Sequence, residues 1–288
     1  MLRTSHFRWF IAALLFLCSA LSFFDRQVLS VLAPQILADL GMTNVEYSHA
    51  VSAFTLAYSI MFTVGGRLVD YLGTRMGLGL SVFFWTLASL LHAVVRNSPQ
   101  LSVFRFLLGV GEGGCFPGAA KGVLEWFPAR DRALAMGIAT TGGSAIGAVA
   151  APPLIVWTAA YFGWRGAFLA TGLMGALWTA LWFVFYRLPE RSRFTTEQER
   201  RYILEDRAPA ASEFRERPWP WRGLLARKEV WGFTLTRFLL DPVFYFYMFW
   251  IPQYLHQERG ASLEEIGRLA WIPFLTLGIS SPISPWQK

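Results

Sequence analysis

The chain has 288 residues, 54% of them hydrophobic, 16% aromatic and only 16% charged, against about 25% charged in ordinary globular domains. That balance argues against a soluble enzyme or a nucleic-acid-binding domain and for a polytopic membrane protein. The net charge of +7 is concentrated, with ten Arg and one Lys between positions 187 and 228. A cytoplasmic loop facing anionic lipid and a solvated loop without a lipid partner both fit that surplus.

A spanning helix needs roughly 20 predominantly apolar residues. Candidate spans lie at 10–37, 48–71, 77–95, 100–126, 133–161, 166–186 and 231–255, and an eighth starts near Leu263. The connectors sort by charge. Arg3 and Arg8 precede the first span, Arg75 follows the second, Arg130 and Arg132 follow the fourth, and the Arg-rich segment follows the sixth. The alternate connectors, "DLGMTNVEY", "RNSPQ" and "FGWRG", carry none, one and one. By the positive-inside rule the N-terminus and the large loop are cytoplasmic, in a multi-pass protein of the inner (plasma) membrane.

The first span opens like a secretory signal, with a basic end and an apolar core. No cleavage site leads into a polar domain, so the span is read as retained. It carries Asp25 and Arg26, which as helix neighbours point about 100° apart. They therefore face different partners rather than neutralise each other. Cys18 and Cys115 sit in apolar runs and read as small buried hydrophobes; no Cys/His spacing suggests a metal site. No metal or cofactor is expected. His49 and His92 read as structural or interfacial, and His6 and His256 lie near span ends.

Between the second and third spans runs "GGRLVDYLGTRMGL". Gly66 and Gly73 allow a tight turn and close helix approach, and Asp70 stands at a helix end where Arg75 can hold it. This stretch resembles the signature loop of the major facilitator superfamily, G-x-L-x-D-x-x-G-x-R/K, which implies a latch on the cytoplasmic face.

The fourth span contains "RFLLGVGEGGCFPG", with Gly-x-Gly-x-x-Gly at Gly109, Gly111 and Gly114. A dinucleotide-binding turn needs a strand before it and a helix after it. Here the pattern lies inside an apolar run of spanning length, so an oxidoreductase reading fails. Gly109 and Gly113, then Gly114 and Gly118, read instead as small-residue contact positions. Arg105 and Glu112 are seven apart and share a helix face. Lys121 and Glu125, four apart, are expected to neutralise each other. In the fifth span, Gly143 and Gly147 are followed by Pro152 and Pro153, which resembles the superfamily's gate-helix motif.

The loop over 187–229 contains Pro189, Pro209, Pro218 and Pro220. "TTEQERRYILEDR", from Thr195, predicts a short surface helix. Glu197, Glu199, Glu205, Glu213 and Glu216 interleave with its arginines, so no one-signed face forms for nucleic acid. The seventh span carries Arg237 and Asp241, four apart on one face. They are either a neutralising pair or further members of a site. Beyond them "LAWIPFLTLGISSPISPWQK" begins an apolar helix that Pro282 and Pro285 would break. Truncation or an altered reading frame is the expectation, against a genuine short protein.

Ionisable side chains inside a bilayer cost roughly 2.5–3.5 kcal/mol each on insertion scales, so each calls for a role. Two arginines and two acids facing one cavity suit a proton-coupled carrier of anions. Arginines make charge-assisted, often bidentate bonds to a carboxylate, and buried acids can take and release a proton.

The stretches "FDRQVLSVLAPQI", "YSHAVSAFTLAYSIM", "RFLLGVGEGG", "EWFPARDRALAMGI", "APPLIVW" and "RFLLDPVFYFYMFWIPQYL", with the signature loop, resemble the anion:cation symporter branch of the major facilitator superfamily. Within that branch the chain resembles bacterial hexuronate transporters. The resemblance stops near Phe274, whereas such proteins normally have twelve spans. It implies an all-α integral membrane bundle: a six-helix N-terminal half over 1–186, a basic cytoplasmic loop over 187–229 and the start of a C-terminal bundle over 230–288. It further implies Asp25 and Glu112 as proton-coupling acids, Arg26 and Arg105 as carboxylate-binding arginines, and Tyr58 as a substrate-lining tyrosine. Asp70 and Arg75 correspond to the cytoplasmic gate. Relatives often place a substrate-contacting amide near "TTGGS"; Thr140, Thr141 and Ser144 stand there instead.

The implied partners are a small carboxylate substrate (a sugar acid), protons and the lipid bilayer, with no nucleic acid and no enzymatic activity. The expected function is proton-coupled import by alternating access, with the 288-residue chain inactive alone. Proton-driven hexuronate accumulation by this chain in proteoliposomes would overturn that last expectation. The second function class is a non-transporting remnant or an assembly or binding subunit; the nucleotide sequence downstream of Lys288 separates the two.

Overall fold

The computed structural model describes residues 6–205, 223 and 225–276. Pro209, Pro218, Pro220, Glu213, Glu216 and the tail with Pro282 and Pro285 lie outside the described residues. Helix α1 spans Phe7–Val31 and, after a break at Leu32, α2 spans Ala33–Leu40. Pro34 stands in the first turn of α2, where its missing N–H leaves no bond unmade. Gly41 then ends α2 in a left-handed conformation at φ 62°.

Thr43 and Glu46 start α3, Asn44–His92, with a reciprocal capping box. The Thr43 N–H donates to Glu46 Oε2 at 2.8 Å, and the Glu46 N–H donates to Thr43 Oγ1 at 3.3 Å. This long helix is two rods joined at Gly73, whose φ of 76° and ψ of 156° are non-helical and strained for any residue with a side chain. The sequence expectation of a tight turn at Gly73 thus has its physical cause. The rods pack so closely that a methyl group on Gly77 would meet the Val69 backbone at 2.7 Å.

Helix α4, Ser98–Glu112, is capped by Asn97, and after Gly113 and Gly114 the chain continues as α5, Cys115–Trp126. Helix α6, Ala129–Met136, passes through a π-helical turn at Gly137–Gly142 into α7, Gly143–Phe185, which Gly163 breaks at φ 68°. Helix α8, Glu197–Leu204, is the short helix expected in the basic loop, capped by Thr196. Helix α9, Lys228–Arg259, and helix α10, Leu263–Leu269, follow, and helical residues 272–276 end the described chain.

Among the described residues, three helical stretches, Phe7–Val31, Asn44–His92 and Ala129–Phe185, the last two taken across their breaks at Gly73 and Gly163, are long and apolar enough to cross a membrane. Large apolar side chains on their outer faces are exposed, among them Leu56, Ile60, Phe62, Phe83, Leu173 and Leu177. That pattern suits helices solvated by lipid rather than water.

Among the described residues, two apolar clusters fill the bundle. One lies toward the end where the chain begins and gathers Ile11, Leu15, Val82, Trp85, Trp126 and Trp182. The other lies toward the opposite end and gathers Leu29, Leu32, Ile36, Leu101, Ile155 and Phe168. On α1 the first runs to Leu21 and the second starts at Val28; Ser22, Asp25, Arg26 and Gln27 form a buried polar layer between them.

Glycines decide how tightly the helices meet. A methyl group at Gly109 would strike Phe54 and Tyr58, one at Gly111 would strike Trp85, and one at Gly113 would strike Met61. Gly65 stands 3.0 Å, measured from such a methyl, from the Cα of Gly114, while Gly66 of the signature loop has only ordinary contact with Pro117. Of this adjacent pair, the glycine of closer approach is therefore the neighbour of the expected one. Gly143 and Gly147 press against the backbone of Phe16 and Ala20 on α1, as small-residue spacing predicts.

At the starting end, α8 folds back onto α1. The N–H groups of Phe7 and Arg8 donate to Glu199 Oε2 and Oε1 at 3.2 and 3.1 Å. A carboxylate from the loop thus satisfies two of the donors that every helix N-terminus leaves open. At the opposite end Asp39 accepts from Arg165 Nη1 at 2.7 Å and Trp164 Nε1 at 3.1 Å. These bonds, the arginine's first, hold the Asp39 carboxyl below its ordinary range.

Candidate functional site

The polar layer is built by α1, α3, α4 and α7. Arg26 Nε donates to Glu112 Oε2 at 2.7 Å, and both side chains are buried. Ser22, one turn before Arg26, donates to the same Glu112 oxygen at 3.0 Å and accepts from Arg26 Nη2 at 3.1 Å. The Arg26 guanidinium lies 4.3 Å from the centre of the Tyr58 ring and 5.1 Å from that of Phe23. Asp25, adjacent in sequence, points elsewhere: its Oδ1 accepts from Ser89 Oγ on α3 at 3.0 Å. The divergence expected of neighbours on a helix is therefore present.

Arg105 is the contrasting member. It is fully buried, yet none of its three guanidinium nitrogens has a hydrogen-bond partner among the described residues. It sits 4.6 Å over the Phe54 ring and 5.8 Å from that of Phe249 on α9. The Phe54 ring also lies 5.7 Å from the Arg26 guanidinium, so both cations flank one aromatic side chain. Aromatic faces attract a desolvated cation by about 2 kcal/mol but supply no acceptor for its five N–H donors. A carboxylate would supply one.

The remaining candidates fall into groups. Tyr58 joins the arginine layer and is 8% exposed. Thr140 is half-buried in the π-helical turn and donates to its own helix, to the Met136 carbonyl at 2.7 Å; Thr141 is exposed and Ser144 half-buried. Arg237 and Asp241 pair at 3.2 Å along α9 with side chains 60% and 37% exposed. The contact is that of a pair within one helix face.

The signature-loop residues make different bonds from those expected. Asp70 pairs with Lys121 at 2.8 Å, and Arg75 Nη2 donates to the Phe183 carbonyl at 2.6 Å. Lys121 therefore does not neutralise Glu125, which accepts from Thr74 Oγ1 at 2.8 Å and from the Tyr186 hydroxyl. The reason is the break at Gly73: it sends Asp70 and Arg75 onto separate rods, each facing a different helix.

Sequence reasoning missed Ser22, Ser89, Thr171 and Phe54. Ser22 had a signal, since it stands one helical turn from Arg26. Ser89 and Thr171 meet Asp25 only across helices, and Phe54 looks like any packing aromatic.

The Major Facilitator Superfamily profile matches residues 15–286. The hexuronate transporter of Escherichia coli (strain K12) is 31% identical over 268 residues, covering 93% of this chain and 62% of that protein. The galacturonate transporter of Dickeya chrysanthemi is 32% identical over 278 residues, covering 96% of this chain and 79% of that protein. The chain thus spans less than two thirds of the hexuronate transporter it matches. Among solved structures, a bacterial homolog to the human lysosomal transporter Spinster, inward-facing and occupied, has a TM-score of 0.76 at 20% identity, covering 94% of this chain and 59% of that one. That likeness shows the fold.

Proposed function

The chain belongs to the Major Facilitator Superfamily, and from that membership we propose that it forms the N-terminal half and the start of the second half of a proton-coupled importer of a sugar acid, a hexuronate or a related compound. The proposal places the protein in the inner membrane, with its N-terminus and basic loop cytoplasmic. The observation that carries it is Arg105, buried without a partner among the described residues beside the Arg26–Glu112 pair.

The charges give the coupling a physical form. With Asp25 and Glu112 ionised, two negative and two positive charges balance in the layer. A proton on Glu112 removes the anion that Arg26 holds, so Arg26 joins Arg105 in presenting positive charge to a substrate carboxylate. Proton and anion then favour each other's binding, and by linkage the effect is reciprocal. The sugar-acid class is supported by the relatives named for hexuronate and galacturonate. Tyr58 lines the site, and Asp70 and Arg75 belong to the cytoplasmic gate.

The test is galacturonate binding to the chain in lipid nanodiscs, measured calorimetrically across pH. Binding that tightens as pH falls, and weakens in Arg105→Ala, is the expected result. Affinity unaffected by both pH and Arg105→Ala would overturn the proposal.

A further inference from the structure

Asp25 is held in a hydroxyl chain whose hydrogens can be counted. Ser89 Oγ lies 3.0 Å from Asp25 Oδ1 and 3.0 Å from Thr171 Oγ1, and Thr171 Oγ1 lies 3.1 Å from the carbonyl oxygen of Phe168. All four residues are buried, and Ser89 and Thr171 are 1% and 2% exposed. These are three hydrogen-bond contacts in a row. A hydroxyl owns one hydrogen, so Ser89 and Thr171 together own two.

When Asp25 is ionised, Ser89 donates to the carboxylate, and Thr171 donates either to Ser89 or to the Phe168 carbonyl. Either way one of the three contacts is empty. When Asp25 carries a proton on Oδ1, the row reverses: Asp25 donates to Ser89, Ser89 to Thr171, and Thr171 to Phe168. All three contacts are then filled, and no buried donor is left unmade. The only covalent change is one proton gained at Asp25; the two hydroxyl hydrogens merely rotate about their C–O bonds.

We infer that Ser89 and Thr171 are positioning residues for Asp25, forming a reversible hydroxyl row that accommodates the carboxyl in both protonation states. This rests on the proposed proton-carrying role of Asp25. A buried hydroxyl with no second acceptor in reach would lose its acceptor once the acid is protonated, and an orphaned buried donor costs about 1–3 kcal/mol. The Phe168 carbonyl is the needed terminus because a carbonyl oxygen has two lone pairs and helix bonding uses one.

The neighbouring charges leave room for such a state. Glu112 and Arg105, both on α4, are the charged groups that act on Asp25. On α3, His92 lies one turn beyond Ser89, its Nδ1 2.7 Å from the Ala88 carbonyl and its ring stacked on Phe168 at 4.7 Å. On α1, Arg26 is engaged by Glu112. No cation among the described residues bonds to Asp25 directly, so its protonation is not opposed by a fixed ion pair.

The test is pH-difference infrared spectroscopy on the 288-residue chain in nanodiscs, reading the carbonyl stretch of the protonated acid that Asp25→Asn removes. Ser89→Ala is expected to move that band to higher frequency, because the acid loses its acceptor. Thr171→Val should move it the same way by less, because hydrogen bonds in a row strengthen one another. Ser89→Thr should restore the native position. A band present in all variants at an unchanged frequency would overturn the inference and leave the proton-carrying reading intact. If no Asp25-dependent band titrates at all, both the proton-carrying reading of Asp25 and the inference fall.

Discussion

Arg26 and Glu112 form a buried ion pair at 2.7 Å that Ser22 completes from one helical turn away, while Arg105, on the same helix as Glu112, has no such partner among the described residues. One cation is neutralised and the other is held in reserve by aromatic rings. On the proposed function, an anion entering the layer meets the Arg105 guanidinium first, and a proton on Glu112 frees that of Arg26.

Glu112 should separate coupling from binding. Glu112→Gln keeps an oxygen acceptor for Arg26 and Ser22 but can no longer ionise. In a full-length carrier, uptake driven by a pH gradient should fall to background while exchange of internal for external substrate persists. Unaltered pH-driven uptake would reject the assignment. Glu112→Ala is a different case, because it strands a buried guanidinium; breaking a buried pair costs about 3–5 kcal/mol, which thermal unfolding should register as a large loss of Tm.

Arg105 should behave as a ligand rather than as packing. Charge-assisted hydrogen bonds contribute about 1.5–3 kcal/mol, so Arg105→Ala should weaken carboxylate binding roughly 10- to 100-fold. Leu108→Ala, a truncation of a buried neighbour, should lower stability with little change in affinity. Equal affinity of native and Arg105→Ala protein would remove the clamp.

The sequence carried the fold and the charged layer for different reasons. Spans are legible because lipid demands long apolar runs, and Asp25, Arg26, Arg105 and Glu112 are legible because charges there are costly. Pairing is not legible in the same way. The spacing of Lys121 and Glu125 suggests a bond within one helix, but the backbone break at Gly73 delivers Asp70 to Lys121 instead. Hydroxyls such as Ser89 and Thr171 are ordinary in membrane helices, and only the packing of α3 on α7 makes them partners of Asp25.

Gly147 tests helix approach. It faces the Ala20 backbone on α1 with no room for a methyl group. Gly147→Val should force α1 and α7 apart at a cost of about 1–3 kcal/mol, seen as a lower Tm. The same change at Gly137, where a methyl meets nothing within 4 Å, should be milder. Equal losses at the two sites would show that steric contact at Gly147 is not the cause.

Asp39 gives a pH dependence outside the spans. Its bonds to Arg165 and Trp164 lower its folded-state pKa below the ordinary value. Its contribution is therefore present above the ordinary carboxylate range and is lost as pH falls through the folded value. The Tm difference between native protein and Asp39→Asn should be constant near neutrality and shrink as pH falls through the ordinary carboxylate range and below it. A difference that grows on acidification would reverse the sign and reject the clamp.

Pro252 and Tyr47 bear on how α9 packs against the first helices. Proline has no N–H, so the Met248 carbonyl, four residues earlier, lacks its helical donor. Ser30 Oγ fills that place at 2.6 Å, and the Tyr47 hydroxyl donates to the next carbonyl, Phe249, at 2.8 Å. Two hydroxyls from α1 and α3 thus grip a backbone that proline has opened. A neutral hydrogen bond is worth about 0.5–1.5 kcal/mol, so Tyr47→Phe should shift an open–closed equilibrium at this end by about 2- to 12-fold toward open. Ser30→Ala should do more, because the Met248 carbonyl is then left without a donor. Cysteine pairs at positions 44 and 257, whose native Asn44 and Gln257 side chains meet at 3.0 Å, report the closed form by cross-linking. Cross-linking should slow in both variants, and most in Ser30→Ala; an unchanged rate in Ser30→Ala would mean that the freed carbonyl does not hold α9 in place.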